Sequence, residues 1–140
     1  MICATRKGMR YFYAKMKGYE NMQTEEILNA KILNVSFGYE DHGILTFSLE
    51  LDISGGGCLS FGGYVLDDYD KEKKRRIPTA EGFECLTEIM NTVGVGKWEE
   101  LKGKYIRVVS RGFGKSITTI GNIMEDKWFN IKKFFEGRGL

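Results

Sequence analysis

The feature that most constrains this chain is a pair of alternating runs. Leu33, Val35, Phe37 and Tyr39 alternate with Ile32, Asn34, Ser36 and Gly38. Leu45, Phe47, Leu49, Leu51 and Ile53 alternate with Thr46, Ser48, Glu50 and Asp52. A period of two predicts two strands, each with one buried face. Between them Glu40-Asp41-His42-Gly43 has the length and glycine position of a four-residue hairpin loop, which makes the pair antiparallel. Ser54-Gly55-Gly56-Gly57 turns the chain into a third run, Cys58 to Leu66, with Leu59, Phe61 and Val65 on one face and Gly62-Gly63 interrupting the alternation. Such a glycine pair predicts a bulge or a close backbone approach.

Beyond the third run, Asp67 to Arg76 mixes four acids with five bases and reads as a charged loop closed by Pro78. Thr79 is placed to cap a helix in which Phe83, Leu86, Ile89, Met90 and Val93 recur at helical spacing, with Gly94 just past its end. Trp98 to Leu101 reads as one further helical turn. Lys104 to Arg111 and Ser116 to Met124 read as a second hairpin around Gly112-Phe113-Gly114, and Asp126 as the cap of a last helix carrying Trp128, Ile131, Phe134 and Phe135. The expected fold is α+β: one antiparallel sheet of about five strands, two main helices on one face, order βββαββα.

One domain is what 140 residues allow. It is read over residues 24–140, preceded by a basic arm over residues 1–23. Within the first 21 residues, Arg6, Lys7, Arg10, Lys15 and Lys17 face one acid, Glu20, and no apolar core of a secretory signal is present. Met22 is an alternative start, and because the chain carries 21 bases and 19 acids, starting there reverses the sign of the net charge. No stretch approaches the roughly 18 apolar residues that span a bilayer, so no membrane association is expected. Cys3, Cys58 and Cys85 are odd in number and match no paired spacing for zinc or redox work; Cys58 and Cys85 read as small core residues in a reducing, cytoplasmic setting.

No catalytic residue, cofactor or metal site is assigned. The lone histidine, His42, sits in a loop with no nucleophile spaced to use it. Val93-Gly94-Val95-Gly96-Lys97 imitates the end of a phosphate-binding loop, but Asn91 stands where the first glycine belongs, Trp98 replaces the hydroxyl, and a helix precedes it in place of a strand. Metal-dependent hydrolysis at Asp41, His42 and Glu50 is the least supported reading, since Glu50 and Asp52 read as surface acids.

Two binding readings survive. The hairpin tip and its surroundings, Tyr39, Glu40, Asp41, His42 and the glycine-bordered Tyr64, form a candidate partner surface. Tyr105, Arg107 and Arg111 interleave a ring with cations on one face of a strand whose end Lys115 flanks, as single-stranded nucleic acid or a nucleotide requires; exposed cations on an edge strand also simply discourage aggregation.

Four segments, Gly38 to Thr46, Phe61-Gly62-Gly63-Tyr64, Gly94 to Tyr105 and Ile120-Gly121-Asn122-Ile123, resemble those of small uncharacterised proteins encoded in bacteriophage and prophage genomes, over about residues 28–130. The resemblance implies a phage accessory protein in the bacterial cytoplasm and carries over no catalytic residue. With it, the expectation is a non-enzymatic protein that occupies a host defence or nucleic-acid-processing partner, as a counter-defence factor would.

Overall fold

A computed structural model describes residues 25–40, 42–55, 57–112 and 114–137; the expected basic arm over 1–23 lies outside them. The chain runs β1 (Glu26–Glu40), β2 (Ile44–Ile53), β3 (Gly57–Gly62), β4 (Asp67–Asp70), β5 (Arg75–Pro78), α1 (Ala80–Val93), a 3-10 turn (Trp98–Leu101), β6 (Tyr105–Ser110), β7 (Thr119–Gly121), β8 (Trp128–Asn130) and α2 (Ile131–Glu136). The α+β expectation holds, with a six-stranded sheet in the order β3-β2-β1-β6-β7-β8 and a two-stranded sheet β4-β5.

The first hairpin follows its sequence pattern. β1 and β2 pair antiparallel, with Val35 opposite Leu49, Phe37 opposite Phe47 and Tyr39 opposite Leu45. The register shifts between Ile32 and Asn34, which makes Leu33 the extra residue of a bulge. That corrects the simple alternation: Ile32, expected on the polar face, is fully buried, whereas Leu33 is 39% exposed. One added residue moves every later side chain to the other face.

β1 is shared. Its first half also pairs with β6, from Glu26 opposite Ser110 to Lys31 opposite Tyr105. At the far side Phe61 in β3 bridges Ile117 in parallel, two residues before β7. The sheet thus curls back on itself, and β1, β2, β3, β6 and β7 roll into a partly open barrel. Leu28, Ile32, Phe47, Leu49, Leu51, Phe61, Ile106, Val108 and Ile120 fill it, and Leu86, Ile89 and Leu101 join the same core.

Several expected elements change. Asp67 to Arg76 is a strand pair, with Asp67 opposite Pro78 and Asp70 opposite Arg75. The third strand ends at Gly62, where φ is +113° and an added Cβ would lie 2.7 Å from the Phe47 ring. Only a glycine can turn there. Thr79 caps α1 as expected, its hydroxyl accepting the Gly82 amide at 3.0 Å, and Gly94 ends it in the left-handed region at φ 93°. Phe83, expected on the buried stripe of α1, is exposed. Trp128 lies in β8, and Asn130, not Asp126, caps α2 by accepting the Lys133 amide at 2.9 Å. Cys85 is buried as expected, but Cys58 is exposed on the outer side of β3.

Candidate functional site

The hairpin tip forms first from its turn. Glu40 pairs with Ile44, so the loop spans residues 41–43, one shorter than expected. His42 adopts φ 58° and Gly43 φ 78°, left-handed values that suit a tight connection. Glu40 and His42 are exposed; Asp41 lies outside the described residues. His42 and Glu50 do not meet: the length of β2 separates them, about 20 Å at strand rise. Among the described residues, no three His, Cys, Asp or Glu side chains are grouped as a metal would require.

What sets this hairpin apart is its open side. Past the Leu33 bulge β6 no longer follows β1, and among the described residues the outer half of β1, residues 34–40, pairs with β2 alone. Phe37 is 45% exposed and Tyr39 69%. Phe37 sits opposite buried Phe47, on which Trp98 packs edge-on at 5.9 Å. The Trp98 indole Nε1–H is itself buried with no hydrogen-bond acceptor among the described residues. Natural sheets blunt such edges with lysine, proline or a covering segment. Residues 33–39 carry no charge and no proline.

The loop end of the hairpin is fixed by a buried carboxylate that the sequence hid in an apparent loop. Asp67 is 2% exposed. Its Oδ2 accepts the Leu45 amide at 3.1 Å, and its Oδ1 accepts Arg76 Nε at 3.0 Å and Nη2 at 2.8 Å. The Arg76 hydrogen bonds hold the carboxyl below its ordinary range against the opposing effect of burial, with the Leu45 amide adding to them.

Tyr64 lies beside the start of β2, just past the hairpin loop, but its ring turns toward α2. Its carbonyl accepts the Thr46 hydroxyl at 2.7 Å, and its ring stacks on Phe135 with centroids 5.2 Å apart and planes 9° from parallel. Burial, then the Glu136 carboxylate and Cys85, push its phenol up. Four of the five residues of the expected partner surface are described, and they divide: Tyr39, Glu40 and His42 lie at the open hairpin, and the Tyr64 ring lies in a cleft against α2.

The basic and aromatic strand is less free than its sequence suggests. Tyr105 is exposed, with the Lys31 ammonium 5.6 Å from its ring centre. Arg107, however, donates from Nε to the Asn122 carbonyl at 2.7 Å and from Nη2 to the Glu125 carbonyl at 2.8 Å, and its guanidinium lies 4.5 Å over the Trp128 ring. Trp128 covers Gly121, where an added Cβ would fall 2.4 Å from the indole. Arg111 and Lys115 are exposed beyond the end of β6.

The glycine loop after α1 offers no anion cradle. The Gly96 and Lys97 amides both donate to Glu100 Oε1, at 3.1 and 3.0 Å. Buried Asn122, to which the sequence assigned no role, ties α1 to the turn before β8. Its Nδ2 donates to the Thr92 and Val93 carbonyls, and its Oδ1 accepts the Met124 and Glu125 amides.

No protein-family model, no curated protein and no solved structure matches this chain.

Proposed function

We propose that this chain is a non-enzymatic binding protein that takes up an extended segment of a protein partner along the outer half of β1. The observation that carries this reading is the open strand edge of residues 34–40, uncharged up to Glu40, with Phe37 and Tyr39 exposed on it. Strand addition satisfies the open backbone groups, and alternate side chains give selectivity. Its role as a phage or prophage accessory protein, acting in the bacterial cytoplasm on host defence or nucleic-acid-processing machinery, rests on the sequence resemblance.

The barrel face argues against the rival. A partly open five-stranded barrel of the OB type binds oligonucleotides across its second and third strands. Here that outer face presents Ser48, Glu50, Asp52, Cys58 and Ser60. It has no ring on which a base could stack and two carboxylates that repel phosphate. The surviving nucleic-acid surface is Tyr105 with Lys31, plus Arg111 and Lys115.

Capture from bacterial lysate tests the proposal, with the wild-type chain and the Phe37→Lys, Tyr39→Lys double variant immobilised in parallel. A protein retained by the first and lost by the second, with the variant's circular dichroism unchanged, is the expected result. Equal retention by both contradicts it. Oligonucleotide binding that weakens steeply with salt and is lost in Arg111→Ala with Lys115→Ala would favour the rival instead.

A further inference from the structure

The cleft that holds Tyr64 is a cavity of about 520 Å³, lined by Tyr64, Val65, Asp67 and Asp68 on one side and Lys132, Phe135 and Glu136 of α2 on the other. That volume suits a small ligand or one large side chain. Its wall is the stacked Tyr64–Phe135 pair, and its rim is charged. Asp67 is engaged by Arg76, whose positive field also reaches Asp68. Lys132 stands four residues before Glu136 on α2, where i and i+4 side chains are neighbours, and offsets it. With three carboxylates against Lys132 and Arg76, the cavity retains an excess of one negative charge. An aromatic wall beneath a negative rim is the environment that a planar cation fits, by stacking on rings and bonding carboxylates in its plane.

We propose that this cavity binds an arginine guanidinium presented by a peptide, with its plane against the Tyr64 ring, its stem on Val65 and its N–H groups toward Asp68 and Glu136. This site is separate from the open edge of β1 and does not rest on the strand-addition reading. A lysine ammonium would meet the same charge but forgo the stacking.

The probe is N-acetyl-arginine methylamide, followed by the ring proton resonances of Tyr64 and Phe135 in the full chain. Saturable shifts with a dissociation constant of about 1 mM or tighter are expected. The neutral citrulline analogue should bind at least about tenfold more weakly, as should the arginine probe to Asp68→Asn with Glu136→Gln, since each removes an interaction of 1.4 kcal/mol or more. Both positions are exposed, so the variant should keep its fold, checked by its unfolding midpoint. Absence of saturable shifts at tens of mM overturns the proposal. So does equal binding of the citrulline analogue or of N-acetyl-phenylalanine methylamide, either of which would make the cleft an apolar groove without charge selectivity.

Discussion

The two halves of β1 have similar alternation and different surroundings. In the inner half, residues 26–32, the strand pairs with β2 or β6 or both, and Leu28, Ala30 and Ile32 are buried. In the outer half the pairing is with β2 alone, and Phe37 and Tyr39 stand exposed opposite residues of the core. The Leu33 bulge is the division. It bends the strand away from β6, and with it changes the role of the apolar residues. Before it they close a barrel; after it they line an edge. An alternating run therefore predicts a strand and its faces, but whether those faces serve stability or binding depends on what covers the second edge.

The largest contrast should appear in stability. Ile32→Ala empties a fully buried site and is expected to cost about 2–4 kcal/mol, whereas Phe37→Ala, already half in water, should cost under about 1 kcal/mol. Denaturant midpoints at unchanged slope measure both. Similar costs would mean that the outer half is packed like the inner one.

Next in size is the anchor of the hairpin. Asp67→Ala strips the acceptor from the Leu45 amide and from Arg76 and should lose about 2–3 kcal/mol. Because Arg76 holds Asp67 below its unfolded value, the carboxylate's stabilisation is present in full above about pH 4 and fades as pH falls through the folded-state value. The wild type should therefore lose stability on acidification more steeply than Asp67→Ala. Parallel pH profiles would mean that the Asp67 carboxylate contributes no such stabilisation.

A smaller effect compares the two described cysteines. Burial pushes the Cys85 thiol up to about 12, while Cys58 is exposed on β3. A thiol reagent followed by peptide mapping should label Cys58 in the native chain and Cys85 only on unfolding. A similarly small effect is expected from Phe37→Lys with Tyr39→Lys, within about 1 kcal/mol of wild type, because Phe37 is half and Tyr39 mostly in water and the lysine stems replace part of the ring contact. A loss of several times that would show the edge to be structural.

The first hairpin, α1 and its caps Thr79 and Gly94 were legible because each rests on local period or local backbone need. The rest depended on distant partners. The bulge was hidden because Ile32 and Leu33 are both apolar and either phase fits. The β4–β5 hairpin looked like a charged loop because the reason for Asp67 is Arg76, nine residues on, and the Leu45 amide, 22 residues back. Tyr64 could be singled out by its glycines, but Phe135, the other wall of its cleft, is 71 positions away and no spacing joins them. Arg107 carried the right residue type for a phosphate, and only the fold shows its guanidinium occupied by the Asn122 and Glu125 carbonyls.

The proposed function requires that residues 34–40 offer an open edge that a partner strand covers. Residue-resolved amide hydrogen exchange tests it most directly, first on the free chain and then on the complex captured from lysate. In the free chain alternate amides of residues 34–40 should exchange at least about tenfold faster than those of residues 27–32 and should slow on complex formation. Residues 34–40 already as protected as the inner half, or a complex that protects β6 and β7 and leaves this edge unchanged, would contradict it.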